Sequence, residues 1–151
     1  MNTKFIITRN AGILAATALG AFAVSGSMAS PADKPSDADN FYKSGRVSQQ
    51  EVKFNNQYRM KVAGNLFLPK DMDKEARCPA IIVGHPMGAV KEQSANLYAA
   101  KMAERGFVTL ALDLPFWGGS DGEPRNSVSP DMYAEAFSAA ADYLGRRPFV
   151  D

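Results

Sequence analysis

Cysteine and histidine each occur once in the 151 residues, as Cys78 and His85. That excludes an intrachain disulfide and a Cys/His zinc site, both of which need several such side chains. It also means that any Ser-His-Asp arrangement assembled from this chain has to use His85. Long runs of one charge are missing too: 17 Lys and Arg face 16 Asp and Glu, a formal net charge of +1. Such a balance provides no basic groove for nucleic acid and no polybasic patch for a membrane surface. There is no internal repeat and no metal or cofactor motif, so neither cofactor nor nucleic-acid partner is expected. What is there, 46% hydrophobic and 22% charged residues, matches an ordinary globular domain.

The N-terminus is organised differently from the rest. Lys4 and Arg9 precede an uncharged apolar stretch, Ala11 to Gly26, and Ser27 and Ala29 then put small residues where a signal peptidase reads. The stretch is short against the roughly 20 residues that span a bilayer. No Arg-Arg pair precedes it and no lipid-accepting Cys follows. Residues 1–29 are therefore expected to be a cleaved export signal rather than a stable membrane anchor, leading to the periplasm or the medium. Residues 30–46, with Pro31, Pro35 and alternating Asp, Lys and Ser, are expected to form a disordered lead-in, and 47–151 the domain.

From Gln49 the pattern reads as strands and helices of an α/β unit. Gln49 to Phe54 and Tyr58 to Leu68 alternate around Asn55-Asn56 turn chemistry, which predicts an antiparallel hairpin; the pattern looks shifted at Gly64, which predicts a bulge, and Pro69 ends the second strand. Pro79 to Gly84 and Phe107 to Leu112 are apolar runs of the kind covered on both faces in a parallel sheet. Between them, 92–105 predicts a helix burying Ala95, Tyr98, Ala99, Met102 and Ala103 and closed by Gly106. A second helix starts with Ser129 as cap and Pro130 in its first turn, buries Tyr133, Ala136, Phe137, Ala140 and Leu144, and stops at Gly145. Strand, helix, strand with short links is a βαβ unit whose strands are parallel.

Both loops at the carboxyl ends of these strands, Gly84-His-Pro-Met-Gly-Ala-Val90 and Asp113 to Arg125, lie where open α/β sheets place their sites. The hairpin, the Ile-Ile-Val-Gly-His-Pro-Met-Gly run, the helix, Leu-Ala-Leu-Asp and Gly-x-Ser-x-Gly-Glu-Pro-Arg together resemble the N-terminal half of an α/β-hydrolase, of the dienelactone hydrolase-like and X-Pro dipeptidyl-peptidase-like esterase group. The resemblance covers Gln49 to Asp151. It implies that His85 to Gly88 form an oxyanion loop, in which a backbone N–H binds the charge developing on a substrate carbonyl. Pro86 has no N–H, so Met87 is the first choice of donor and Gly88 the second, with His85 supporting the loop through its ring.

Gly118-Gly-Ser-Asp-Gly122 satisfies G-x-S-x-G by letter, but a nucleophile elbow sits between a strand and a helix. Ser120 lies well past the strand, Pro124 follows, and no histidine comes after it. Ser120 is expected to shape a loop, Asp113 to brace it by accepting backbone N–H bonds, and Phe116 and Trp117 to anchor it. Cys78 reads as a half-buried bystander, and Arg146 and Arg147 as helix-end charges.

The resemblance further implies a nucleophile strand and elbow, an acid and a histidine downstream; this sequence contains none of them, so the nucleophile and triad are absent. The expected fold is a partial α/β-hydrolase sheet, a hairpin plus a βαβ unit, truncated before the nucleophile strand. Ala80 to Gly84 then becomes a bare apolar edge, Phe137 and Leu144 lose cover, and the piece is expected to associate or stay partly molten. The function expected by resemblance is that of an exported serine hydrolase acting on a small-molecule ester-type substrate once completed, with a C-terminal half in trans as partner. Two alternatives stand beside it: a minimal esterase using Ser120 and His85, and a non-catalytic secreted interaction module that pairs through its free edge.

Overall fold

The computed structural model describes residues 42–73, 75 and 77–151, so the expected export signal and the lead-in up to residue 41 lie outside it. In chain order the elements are β1 (Val47–Asn55), β2 (Lys61–Pro69), β3 (Ala80–Gly84), α1 (Ser94–Ala103), β4 (Val108–Leu112) and α2 (Pro130–Gly145). The strands form one sheet in the order β1-β2-β4-β3. β1 with β2 and β2 with β4 are antiparallel, while β3 and β4 run parallel as the βαβ pattern predicts.

Three layers result because the two helices cover opposite faces. On one side α2 sets Ala136, Ala140 and Leu144 against Val62, Leu66, Val108, Leu110 and Leu112. On the other, Ala95, Ala99, Ala100 and Ala103 of α1 lie on Phe67, Ala111 and Val47. β4 is buried at every position, which is why it reads as a continuous apolar run rather than an alternating one. Truncating Leu144 in this core to Ala is expected to cost about 2–5 kcal/mol.

Several expectations need correction. β1 and β2 pair residue for residue from Val47↔Pro69 to Asn55↔Lys61, with no bulge. The even positions 62, 64, 66 and 68 in fact keep one face throughout; Gly64 merely lacks a side chain, and a Cβ there would come within 2.9 Å of Leu110 Cδ1. Nor does the second strand begin at Tyr58. Asn56 Oδ1 accepts the N–H groups of Tyr58 and Met60, and Arg59 takes a φ of 61°, so a local turn uses this backbone before β2 starts. α1 is shorter than 92–105, and Tyr98 points outward, because an alanine face permits closer approach to the sheet than a tyrosine would. Leu144 is buried, held by Val150 and the sheet, whereas Phe137 is the residue left 36% exposed.

Phe137 lies against Gly84, where a Cβ would sit 2.6 Å from its ring. β3, half-buried along its length, has β4 on one side only among the described residues. At its foot, however, the Cys78 N–H donates to Phe149 O (3.0 Å) and the Asp151 N–H to Cys78 O (3.1 Å), a parallel bridge between Cys78 and Val150. At the other edge of the molecule Tyr42 donates to the Glu104 carboxylate and tethers the segment before β1 to α1. That hydroxyl, then Ser44, holds the Glu104 carboxyl down at about 2.

Candidate active site

Because β3 and β4 are parallel neighbours, their carboxyl ends deliver the loops 84–91 and 113–127 side by side. In the first, the Ala89 N–H donates to Pro86 O (3.1 Å) and Gly88 has a φ of +80°. This is the geometry of a type II turn, whose third residue favours glycine. The turn projects outward: Met87 is 76% exposed. Neither the Met87 nor the Gly88 N–H donates to another group among the described residues.

His85 sits beneath the turn and is buried. The Leu114 N–H donates to Nε2 (3.0 Å), so that nitrogen carries the lone pair and the proton is assigned to Nδ1, which faces Pro86 O at 2.8 Å. The imidazole meets the Trp117 ring edge-on, with centroids 6.2 Å apart. Nε2 therefore joins the two loops, while Nδ1 holds the ring to its own loop at Pro86.

The second loop is built around Asp113, which has no solvent exposure. Its Oδ1 accepts the Lys91 N–H (2.8 Å), and its Oδ2 accepts the Lys91 ammonium (2.5 Å) and the Gly119 N–H (2.8 Å). Gly118, with a φ of +48°, passes so close that a Cβ would lie 2.3 Å from this carboxylate. Ser120 is equally buried: its hydroxyl donates to Asp113 O (2.6 Å) and accepts the Ala63 N–H (2.9 Å). Arg125 closes the loop by donating to the carbonyls of Ser120, Gly122 and Gly118. The Trp117 indole N–H is shared between Ser127 O and the Tyr133 hydroxyl.

The minimal-esterase alternative does not survive this geometry. A nucleophilic serine needs an accessible hydroxyl bonded to a base, but Ser120 is enclosed with both its capacities taken, and His85 Nε2 is occupied by Leu114. No hydrogen bond joins the two. Residues overlooked in the sequence are Lys91 and Glu92, buried together with Lys91 Nζ 2.7 Å from Glu92 Oε1, and the enclosed pair Asn65 and Asn96 (3.1 Å). Beside the root of the turn, Val83, Gly84, Ser94, Ala95 and Tyr98 line an open groove of about 310 Å³ on the α1 side of β3.

No family model matches the chain. It is similar to the uncharacterized protein PA2218 of Pseudomonas aeruginosa, with 51% identity over 108 residues, 72% of this chain and 29% of that protein. It is also similar to thiohydrolase aneE of Aspergillus aculeatus, with 32% identity over 101 residues, 67% of this chain and 30% of that one. The chain thus spans about three tenths of the length of these curated relatives. Among solved structures, PA2218 superposes with a TM-score of 0.72 at 46% identity over 80% of this chain and 37% of that one. The α/β hydrolase GrgF from Penicillium sp. sh18 gives 0.63 at 27% identity over 69% and 34%. With its mixed sheet between helices, its loops at the carboxyl ends of β3 and β4, and these likenesses, the chain carries part of an α/β-hydrolase fold.

Proposed function

We propose that this chain supplies the oxyanion side of an exported serine hydrolase that cleaves carboxylic esters or related acyl bonds, of the dienelactone hydrolase-like and X-Pro dipeptidyl-peptidase-like kind. The observation that carries the reading is the Pro86–Ala89 turn at the end of a strand that is an edge among the described residues, with the Met87 and Gly88 N–H groups unbonded there. As the carbonyl becomes tetrahedral its oxygen gains charge, and donors already held in place stabilise it without reorganising; one such donor contributes about 10²–10³ in rate. Met87 is the first choice of donor from this loop and Gly88 the second. The nucleophile, the acid and the catalytic histidine are not among the described residues; a further C-terminal portion, seated as a strand on the free edge of β3, would supply them. The Cys78–Val150 bridge, already parallel, supports that direction. The relative named a thiohydrolase supports an acyl-type bond as the target.

The test mixes the purified chain with a separately expressed C-terminal portion of PA2218 and follows p-nitrophenyl ester release. Turnover by the mixture alone is expected. Hydrolysis by the isolated chain that disappears in Ser120→Ala would overturn the assignment. A discrete homodimer in light scattering, with no turnover in any mixture, would instead favour an interaction module pairing through β3, the second reading that this edge allows. For export, N-terminal sequencing of the secreted product is expected to begin at Ser30.

A further inference from the structure

Among the described residues the turn that presents Met87 and Gly88 is uncovered: Pro86, Met87 and Gly88 are exposed, and Ala89 and Val90 are half-exposed. Its direction is therefore set at its two ends, and both ends are fastened to the same dipeptide. Before the turn, His85 Nε2 accepts the Leu114 N–H at 3.0 Å. After it, Lys91 grips the neighbouring Asp113 twice, through its N–H to Oδ1 at 2.8 Å and its ammonium to Oδ2 at 2.5 Å.

We propose that Lys91, acting through Asp113, is a positioning residue for the oxyanion turn. The inference rests on the oxyanion donor being Met87 or, as second choice, Gly88. Lys91 is only 4% exposed, and burying an ammonium is unfavourable enough that an apolar side chain would often serve stability as well. What the ion pair adds is direction. One residue spans both oxygens of a carboxylate that Gly119 also holds and that stands at the end of the central strand β4. Specifying one geometry is the best-attested use of such buried pairs. Glu92 Oε1 lies 2.7 Å from the same ammonium, so one buried cation bridges two carboxylates.

The test is amide hydrogen exchange on the full chain, read by NMR with no substrate present. The Ala89 N–H, bonded across the turn, reports its closure; Leu110 and Val62, deep in the sheet, report global stability. In Lys91→Met, Ala89 exchange is expected to rise by about tenfold or more while Leu110 and Val62 stay within about twofold. Unchanged Ala89 exchange, or an equal rise at all three sites, would overturn the proposal. Because Lys91→Met takes the ammonium away from two buried carboxylates, the variant Lys91→Met/Glu92→Gln/Asp113→Asn is measured too, and local loosening of Ala89 is again expected. If neither variant retains the sheet, the pair is a folding determinant and the proposal falls. In the complemented enzyme, Lys91→Met is expected to lower kcat at unchanged KM. Absence of turnover in any mixture would count against the hydrolase reading alone, since the exchange result does not depend on it.

Discussion

Within residues 113–127, the Asp113 carboxylate accepts from Lys91 and Gly119, the Ser120 hydroxyl bridges Asp113 O and Ala63 N–H, and Arg125 donates to carbonyls on either side of Ser120. In the adjacent loop after β3, the Met87 and Gly88 N–H groups have no acceptor among the described residues and Met87 stands 76% exposed. Buried polar groups that are fully paired serve the fold. Donors that are fixed yet unpaired remain available to bind something else. The G-x-S-x-G letters fall in the saturated loop, so motif and chemistry part company here.

The comparison can be broken most severely at Asp113. Asp113→Ala removes three donated bonds and leaves the Lys91 ammonium with Glu92 alone. A loss of about 3–5 kcal/mol is expected, read in urea unfolding of the full chain. Ser120→Ala is next. It strands the Ala63 N–H and the Asp113 carbonyl, for about 1–3 kcal/mol, and is expected to lower the melting temperature without abolishing ester turnover in the complemented enzyme. A complete loss of turnover with unchanged melting would reverse the roles assigned to the two loops. Gly88→Ala places a side chain at a φ of +80°, at about 1–2 kcal/mol. Smallest of all, Met87→Ala is expected to shift stability by less than about 0.5 kcal/mol, since a side chain so exposed contributes little to packing.

Much of this was legible from residues because local chemistry and tertiary demand agree. Ser129-Pro130 starts α2 and Gly145 lies at its end. The β-branched run at Ala80 to Gly84 forms a strand parallel to Val108–Leu112. Pro124 after Gly122 argued correctly against a helix directly behind Ser120, since α2 begins only at Pro130. Other features could not be read in this way. Lys91-Glu92 looks like a solvated pair, because its burial depends on Asp113, distant in sequence and adjacent only once β3 and β4 pair. Tyr98 and Ala99 are both at helical spacing from Ala95, and only the closeness of the sheet decides that the alanines face inward. At Gly64 the sheet alternation continues through a residue with no side chain to mark it.

The edge-on contact between His85 and Trp117 has an optical consequence. Trp117 is the only tryptophan in the chain, so its emission, undiluted by other indoles, watches the junction between the two loops. Anything that unseats the imidazole, or brings a bound molecule or a second polypeptide against the turn, changes the surroundings of that one fluorophore. The protein thus carries a native, label-free reporter at the place where its proposed chemistry has to be assembled.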